Sequence, residues 1–201
     1  MIDTVIFDIG GVLVNLTWEN MYNSFGFSSS VMQRVANATV HSGEWKEYDR
    51  GVLTDKEILK RFISHDTELA DEITLSQKNI HGILSRRDSA IPWIKAVKDG
   101  GYRTLYLSNF SEKALNDCSD AMDFLPYLDG GVFSYRVQLI KPDDSIYLYI
   151  IYKYSLEPEK CVFIDDTEEN LTAARRFGFN TVHYENRAQA DEELSALGVR
   201  F

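Results

Sequence analysis

The sequence predicts an α/β fold: a doubly wound (Rossmann-like) parallel sheet with an inserted small helical cap domain. Three observations carry this. Short apolar, β-branched runs recur along the chain and stop at glycine or polar residues, as strands buried on both faces do. Helical patterns separate these runs, which implies a parallel sheet covered on both sides. One long stretch, between Leu16 and Ser89, breaks the alternation and carries helical signals alone.

The elements follow in order. Thr4-Val5-Ile6-Phe7-Asp8 is a continuous apolar strand that ends at Gly10-Gly11. In the interruption, Thr17, Ser30 and Thr54 read as helix starts. Thr54-Asp55-Lys56-Glu57 is a capping box, followed by Ile58, Leu59, Phe62 and Ile63 at helical spacing. The alternation then resumes. Ala90, Trp93, Ile94 and Val97 form one helical face, closed by Gly100-Gly101. Arg103 to Leu107 is the next strand, and Ser111 caps a helix carrying Ala114, Leu115 and Cys118. Gly131 to Ser134 follows, then an apolar helix begun by Asp143 or Asp144 and running through Ile146, Tyr149 and Ile150. Cys161 to Ile164 is the fourth strand. The helix after it turns Leu171, Ala174 and Phe177 inward and places Arg175 and Arg176 in its last turn, where they complement the helix dipole. Thr181 to Tyr184 completes the sheet. The resulting division is a core of residues 1–15 and 90–201 and a cap of residues 16–89.

Composition narrows the class of partner. The 201 residues, 44% hydrophobic and 26% charged, suffice for a core domain with a modest insertion. A net charge of -10, from 31 acids against 21 Lys and Arg, excludes a nucleic-acid face or an anionic membrane surface. It leaves open a small anionic substrate, because a local site can reverse the global sign. Cys118 and Cys161 fit neither a zinc pattern nor a disulfide framework, which points to a reducing, cytoplasmic setting. No signal-peptide pattern opens the chain, and no apolar run reaches the ~20 residues of a membrane span. His41, His65, His81 and His183 lack metal-ligand spacing and read as surface or packing residues. The tyrosine-rich helix around Tyr147, Tyr149, Tyr152 and Tyr154 reads as a packed amphipathic element.

In such a sheet, ligands bind beyond the carboxyl ends of the strands. Asp8-Ile9-Gly10-Gly11 follows the first strand, Ser108-Asn109 the second, Lys141-Pro142 comes shortly after the third, and Asp165-Asp166-Thr167 follows the fourth. Each alone has an ordinary explanation: a turn former, a backbone partner, a solvated lysine, a helix cap. Together they bring three acids, a hydroxyl and an amine to one edge. Three clustered carboxylates repel one another unless a cation holds them, and Mg2+ suits a few carboxylates plus phosphate and water. The lysine and hydroxyl can hold phosphoryl oxygens, and a carboxylate beside phosphorus can attack it to form an acyl phosphate.

This order of motifs resembles the haloacid dehalogenase-like hydrolase superfamily. The carrying residues are Val5-Ile6-Phe7-Asp8-Ile9-Gly10-Gly11-Val12, Tyr106-Leu107-Ser108-Asn109, Lys141-Pro142 and Val162-Phe163-Ile164-Asp165-Asp166. The resemblance spans nearly the whole chain, including the position of the cap. It implies phosphoryl transfer to Asp8, with Mg2+ held by Asp8, the carbonyl of Gly10 and the Asp165-Asp166 pair, Asp166 directly and Asp165 directly or through water. It further implies that Ser108, Lys141 and the backbone at Asn109 bind the phosphoryl group. Phe7-Asp8-Ile9-Gly10, Leu107-Ser108-Asn109 and the cap stretch Tyr48 to Thr54 are similar to bacterial sugar phosphatases of the α-glucose-1-phosphate phosphatase type. The expected activity is thus Mg2+-dependent hydrolysis of a small phosphorylated metabolite through a phospho-aspartate.

One departure matters. Most phosphatases of the superfamily carry a second aspartate two residues after the nucleophile, as proton donor and then base. Here that position is Gly10. Such acid–base work is worth roughly 10²–10⁴-fold. The preferred consequence is a sugar phosphate with a good leaving group, such as an anomeric phosphate. A second is a stand-in acid from the cap: Asp49 and Glu47 are the acids to watch, although a solvated cap surface is their more ordinary fate, and Arg50 and Trp45 are candidates for substrate contact. A third is a weak or inactive protein that binds a phosphorylated ligand or acts through an interaction surface.

Overall fold

The computed structural model describes residues 1–201. β1 (Thr4–Phe7) is buried along its whole length. It can be so because it lies mid-sheet, with Val5 and Phe7 feeding the core on one face and Ile6 the core on the other. The chain then leaves the sheet through β2 (Val14–Leu16) into α1 (Trp18–Ser24), α2 (Ser29–Ala38), α3 (Glu44–Arg50), α4 (Asp55–His65) and α5 (Ala70–Lys78), and returns through β3 (Leu84–Arg86). The core resumes with α6 (Ala90–Asp99), β4 (Arg103–Ser108), α7 (Glu112–Asp117), β5 (Gly130–Phe133), α8 (Ser134–Val137), α9 (Asp144–Tyr154), β6 (Cys161–Asp165), α10 (Glu168–Arg176), β7 (Asn180–His183) and α11 (Arg187–Ala196).

Five strands form one parallel sheet in the order β5-β4-β1-β6-β7. The chain moves outward from β1 to β4 and β5, then crosses to β6 and β7 on the other side. β1 therefore sits at the switch point, where a crevice opens beyond the strand ends. The register aligns those ends: Phe7 pairs with Tyr106 and Ile164, and Ser108 with Phe133. Residues just past each strand thus share one edge. No helix is long and apolar enough to cross a membrane.

The predicted strands and helices of the core are all present. The stretch expected to be wholly helical is not. β3 pairs antiparallel with β2, Leu16 opposite Leu84, and makes a two-stranded stem for the cap. Leu84-Ser85-Arg86 is short and mostly polar, and only pairing with β2 makes it a strand, so no local pattern announces it. The hydroxyl of Thr17 donates to the Gly82 carbonyl (2.8 Å) rather than capping α1, and so ties the outgoing chain to the returning one. α2 starts one residue before Ser30 and is capped by Ser28. The Thr54–Glu57 capping box forms as expected. Asp143 occupies the cap position of α9, but its carboxylate bonds Arg50 of the cap (3.0 Å) instead of the helix.

Candidate active site

A cleft of about 590 Å³ lies between the strand ends and the cap. Its floor is a charge network. Asp8 is buried at the end of β1, where its Oδ1 accepts the Ile9 N–H (2.7 Å), and the buried Ser108 favours its charged form. Lys141 Nζ stands 3.0 Å from Asp8 Oδ1 and 2.6 Å from Asp165 Oδ2, with its side chain almost wholly enclosed. An ammonium has three donors; two meet carboxylates, and the third is free to serve the cleft that Lys141 lines. Asn109 fixes this lysine from behind: its amide donates to the Lys141 carbonyl (3.0 Å), and its Oδ1 accepts the Lys141 N–H (2.8 Å). Asn109 therefore positions Lys141 through its side chain, beyond the backbone contribution expected of it.

The two acids after β6 differ. Asp165 is fully buried and already accepts from Lys141, from Asn170 Nδ2 (3.0 and 3.1 Å) and from the Thr167 N–H (2.8 Å). Asp166 is exposed and lines the cleft. Donors thus orient Asp165, while Asp166 stays open toward a ligand. Asp166 lies against the loop after β1, and only glycine permits this: a Cβ on Gly11, whose φ is +72°, would fall 1.9 Å from Asp166 Oδ2. Gly10 meets no such limit, since a Cβ there would touch only Leu16 at 3.9 Å.

The electrostatics follow from burial and mutual repulsion. Burial pushes the Asp8 carboxyl up to about 7; Lys141 opposes this, Asp165 adds to it, Ser108 opposes it and Asp166 adds to it. Asp166, though exposed toward the cleft, is raised as well, by partial desolvation among its neighbours and then by Asp165. Burial works to discharge Lys141, but Asp165 and Asp8 outweigh it and hold the ammonium above its ordinary range. A carboxyl oxygen from each of Asp8, Asp165 and Asp166 lies within 4.8 Å of the others. Hard oxygen donors, unresolved repulsion and the glycine cradle under Asp166 together fit Mg2+, and Gly10 lines the same cleft.

The cap supplies the opposite wall. Trp18, His41, Trp45, Lys46 and Asp49 line it. His41 packs edge-on against Trp18 at 5.0 Å, so the packing reading holds, but this histidine also faces the cleft. Of the four cap residues singled out in the sequence, Trp45 and Asp49 reach the cleft, and for Asp49 this overturns the solvated-surface expectation. Glu47 and Arg50 do not line it; they pair with each other at 3.3 Å, and Arg50 with Asp143. Sequence reasoning missed Asn170 and Arg87. Arg87 donates to the Gly11 carbonyl (2.8 Å) and stacks over Tyr184, bracing the loop that carries Asp8. Asn170 was detectable in principle as a polar residue on the buried face of α10, whereas nothing local marks Arg87. Tyr147 is buried and donates to the Asn170 carbonyl (2.8 Å), so the packed tyrosine helix also supports the site.

A family model described as haloacid dehalogenase-like hydrolase matches residues 2–178. Among curated proteins, the chain is 25% identical to a drimenol cyclase of Aspergillus calidoustus, over 98% of this chain but 37% of that one. It spans less than two thirds of the length of the first curated relatives it matches. A D-ribitol-5-phosphate phosphatase of Bacteroides thetaiotaomicron is 24% identical, covering 98% of both chains. Among solved structures, a family enzyme of the same bacterium, in complex with magnesium and inorganic phosphate, superposes with a TM-score of 0.67 at 18% identity, covering 90% of this chain and 93% of that one. That likeness is one of fold.

Proposed function

The chain belongs to the haloacid dehalogenase-like hydrolases, and from that premise we propose that it is a Mg2+-dependent phosphomonoesterase acting on a small phosphorylated metabolite through phospho-Asp8. The observation that carries this reading is the Asp8–Lys141–Asp165 network beside the open carboxylate of Asp166. The family also contains dehalogenases, whose attack on carbon gives no reason to gather three mutually repelling acids around one lysine. Phosphoryl transfer does, since its substrate is itself an anion. The full-length likeness to a sugar-alcohol phosphatase supports the same reaction.

Each residue then has a task. Asp8 Oδ attacks phosphorus, the bond to the leaving oxygen breaks, and a phospho-aspartate forms. Lys141 and Ser108 hold phosphoryl oxygens, with Asn109 keeping Lys141 aimed. Asp165 orients Lys141 from the side away from substrate. Asp8, Asp166 and the Gly10 carbonyl would hold Mg2+, with Asp165 beside them; the ion, when bound, neutralises charge on the transferring group. On the cap side, the indoles of Trp18 and Trp45 beside His41, Ser42 and Lys46 suit a sugar, whose ring presents apolar faces and hydroxyl edges. A sugar phosphate of the α-glucose-1-phosphate kind is the first substrate to try.

The test is a panel of phosphate esters assayed with Mg2+ and with chelator. Turnover should require the ion, and Asp8→Asn should lose at least on the order of 10⁴-fold, the scale seen when a covalent nucleophile is removed. Full activity in Asp8→Asn, or turnover of a 2-haloacid and of no phosphate ester, would sink the reading.

A further inference from the structure

We propose that Asp49, delivered from the cap, is the catalytic acid and base of this site: it protonates the leaving oxygen and then deprotonates the attacking water. The proposal rests on the phospho-Asp8 reading above and fills the gap left by Gly10.

The geometry begins with how α3 is held. Its last turn is fastened to the core rather than left to move with the cap. The Ser134 hydroxyl donates to the Asp49 carbonyl (2.5 Å) and accepts the Phe110 N–H (2.8 Å), joining Asp49 to the loop after β4. Arg50 reaches Asp143 across the same seam. Gly51 follows with φ +75°, and a Cβ there would fall 2.8 Å from the Tyr135 Cα. Only glycine allows the two backbones so close. Asp49 and Gly51 thus press this end of the cap onto the β5–α8 corner, and Arg50 between them reaches the start of α9.

The side chain between these anchors lines the cleft with Asp8, Lys141 and Asp166. Of the acids lining the cleft, Asp49 alone comes from the cap, and it lies outside the trio that could hold a metal. It makes no ion pair, although Lys46 and His41 share the cap wall and Lys141 the floor. Burial pushes its carboxyl up to about 8; the Ser111 N–H opposes this, Asp8 adds to it and Lys141 opposes it. A carboxyl in that range holds its proton at neutral pH and can still release it, as a general acid must. Glu47, three residues from Arg50 and paired with it, is not placed for this work.

The chemistry balances in two steps. As Asp8 forms its bond to phosphorus, the ester oxygen leaves with the Asp49 proton and departs as an alcohol, and Asp49 becomes a carboxylate. Asp49 then takes a proton from water as the water oxygen bonds to phosphorus. The bond from phosphorus to Asp8 breaks, phosphate departs and Asp49 is protonated again. Net, ester and water give alcohol and phosphate.

The experiment is pre-steady-state turnover by Asp49→Asn of two esters, 4-nitrophenyl phosphate and glycerol 3-phosphate, with Mg2+. Nitrophenolate leaves unprotonated, so the variant should still release a burst of one product per site and then stall, because hydrolysis of phospho-Asp8 lacks its base. Glycerol phosphate needs the proton, so its first turnover should fall by roughly 10²–10⁴-fold. The nitrophenolate burst also shows that the variant is folded. Equal losses for the two esters, unchanged steady-state turnover of glycerol phosphate, or a wild type that cleaves the nitrophenyl ester but no alkyl phosphate would each overturn the role of Asp49. Asp8→Asn separates the two readings: a burst that survives in Asp8→Asn refutes phospho-Asp8 itself.

Discussion

The floor and the wall of the cleft are built by opposite means. On the floor, Lys141 stands between Asp8 and Asp165 in nearly complete enclosure, and every carboxylate there depends on its neighbours. On the wall, the cap presents indoles, a histidine and one unpaired acid, and its ion pairs, such as Arg50 with Glu47 and Asp143, lie at the rim in partial contact with water. Buried charges are costly unless fully partnered, so the floor should tolerate least the loss of its one cation. Rim pairs are screened and contribute little. The difference teaches where this molecule keeps fixed chemistry and where it is free to vary its substrate.

Removing the lysine tests this most severely. Lys141→Met keeps the apolar stem but leaves two buried carboxylates without their cation. Unfolding free energy in urea, without metal, should drop by about 3–5 kcal/mol. Arg50→Ala, the matching lesion at the rim, should cost less than about 1 kcal/mol. Comparable losses would mean that the rim pairs bind the cap to the core more strongly than their exposure implies.

Asp8→Asn sharpens the contrast from the other side, because it removes repulsion rather than a partner. In the folded protein Asp8 keeps its proton up to about pH 7, whereas an unfolded aspartate releases it near 3.8. Between those values the folded state binds more protons, so stability falls as pH rises. Asparagine suffers no such loss. The metal-free variant should therefore match wild type below pH 3.8, gain through the window and level off above about 7. There it should be about 4 kcal/mol more stable, at about 1.4 kcal/mol per pH unit, and melt roughly 10–15 °C higher, at roughly 2–4 °C per kcal/mol for a domain this size. Added Mg2+ should close the gap by stabilising wild type alone. A variant that melts lower than wild type at pH 8 without metal would show that Asp8 is stabilised by Lys141 more than it is penalised by burial.

The same contrast explains what could be read from the sequence. The floor was legible because strand ends in a parallel sheet share one edge, so position along the chain fixes position in space for Asp8, Ser108 and Asp165, while Lys141, beyond α8, is brought to them by the two bonds from Asn109 at the end of β4. The wall was not. Whether Asp49 or Glu47 faces the cleft depends on the rotation of α3, and that is set by contacts of Ser134 and Tyr135 with residues 85 or so positions away. The β2–β3 stem was missed for a related reason: three mostly polar residues become a strand only when a partner strand is present. Arg87 supports Asp8 through a backbone carbonyl, an interaction that leaves no mark in any local pattern.

The smallest effect tests whether the wall can be weakened without touching the floor. Thr54 opens α4 with a reciprocal cap: its Oγ1 accepts the Glu57 N–H (3.3 Å), and Glu57 Oε2 accepts the Thr54 N–H (2.9 Å). Thr54→Ala removes the first bond and leaves an exposed N–H that water can reach, so the loss should be about 1 kcal/mol, the ordinary worth of an N-cap. Amide exchange should quicken in α4 and its neighbours while β1 and β6 keep their protection, as expected of a module that opens separately. Mg2+ affinity should be unchanged, because every oxygen proposed to hold the ion comes from the core. A fall in Mg2+ affinity with the cap lesion would mean that the last turn of α3, pinned on the β5–α8 corner, transmits strain into the floor, and that the two halves of the cleft are one cooperative unit.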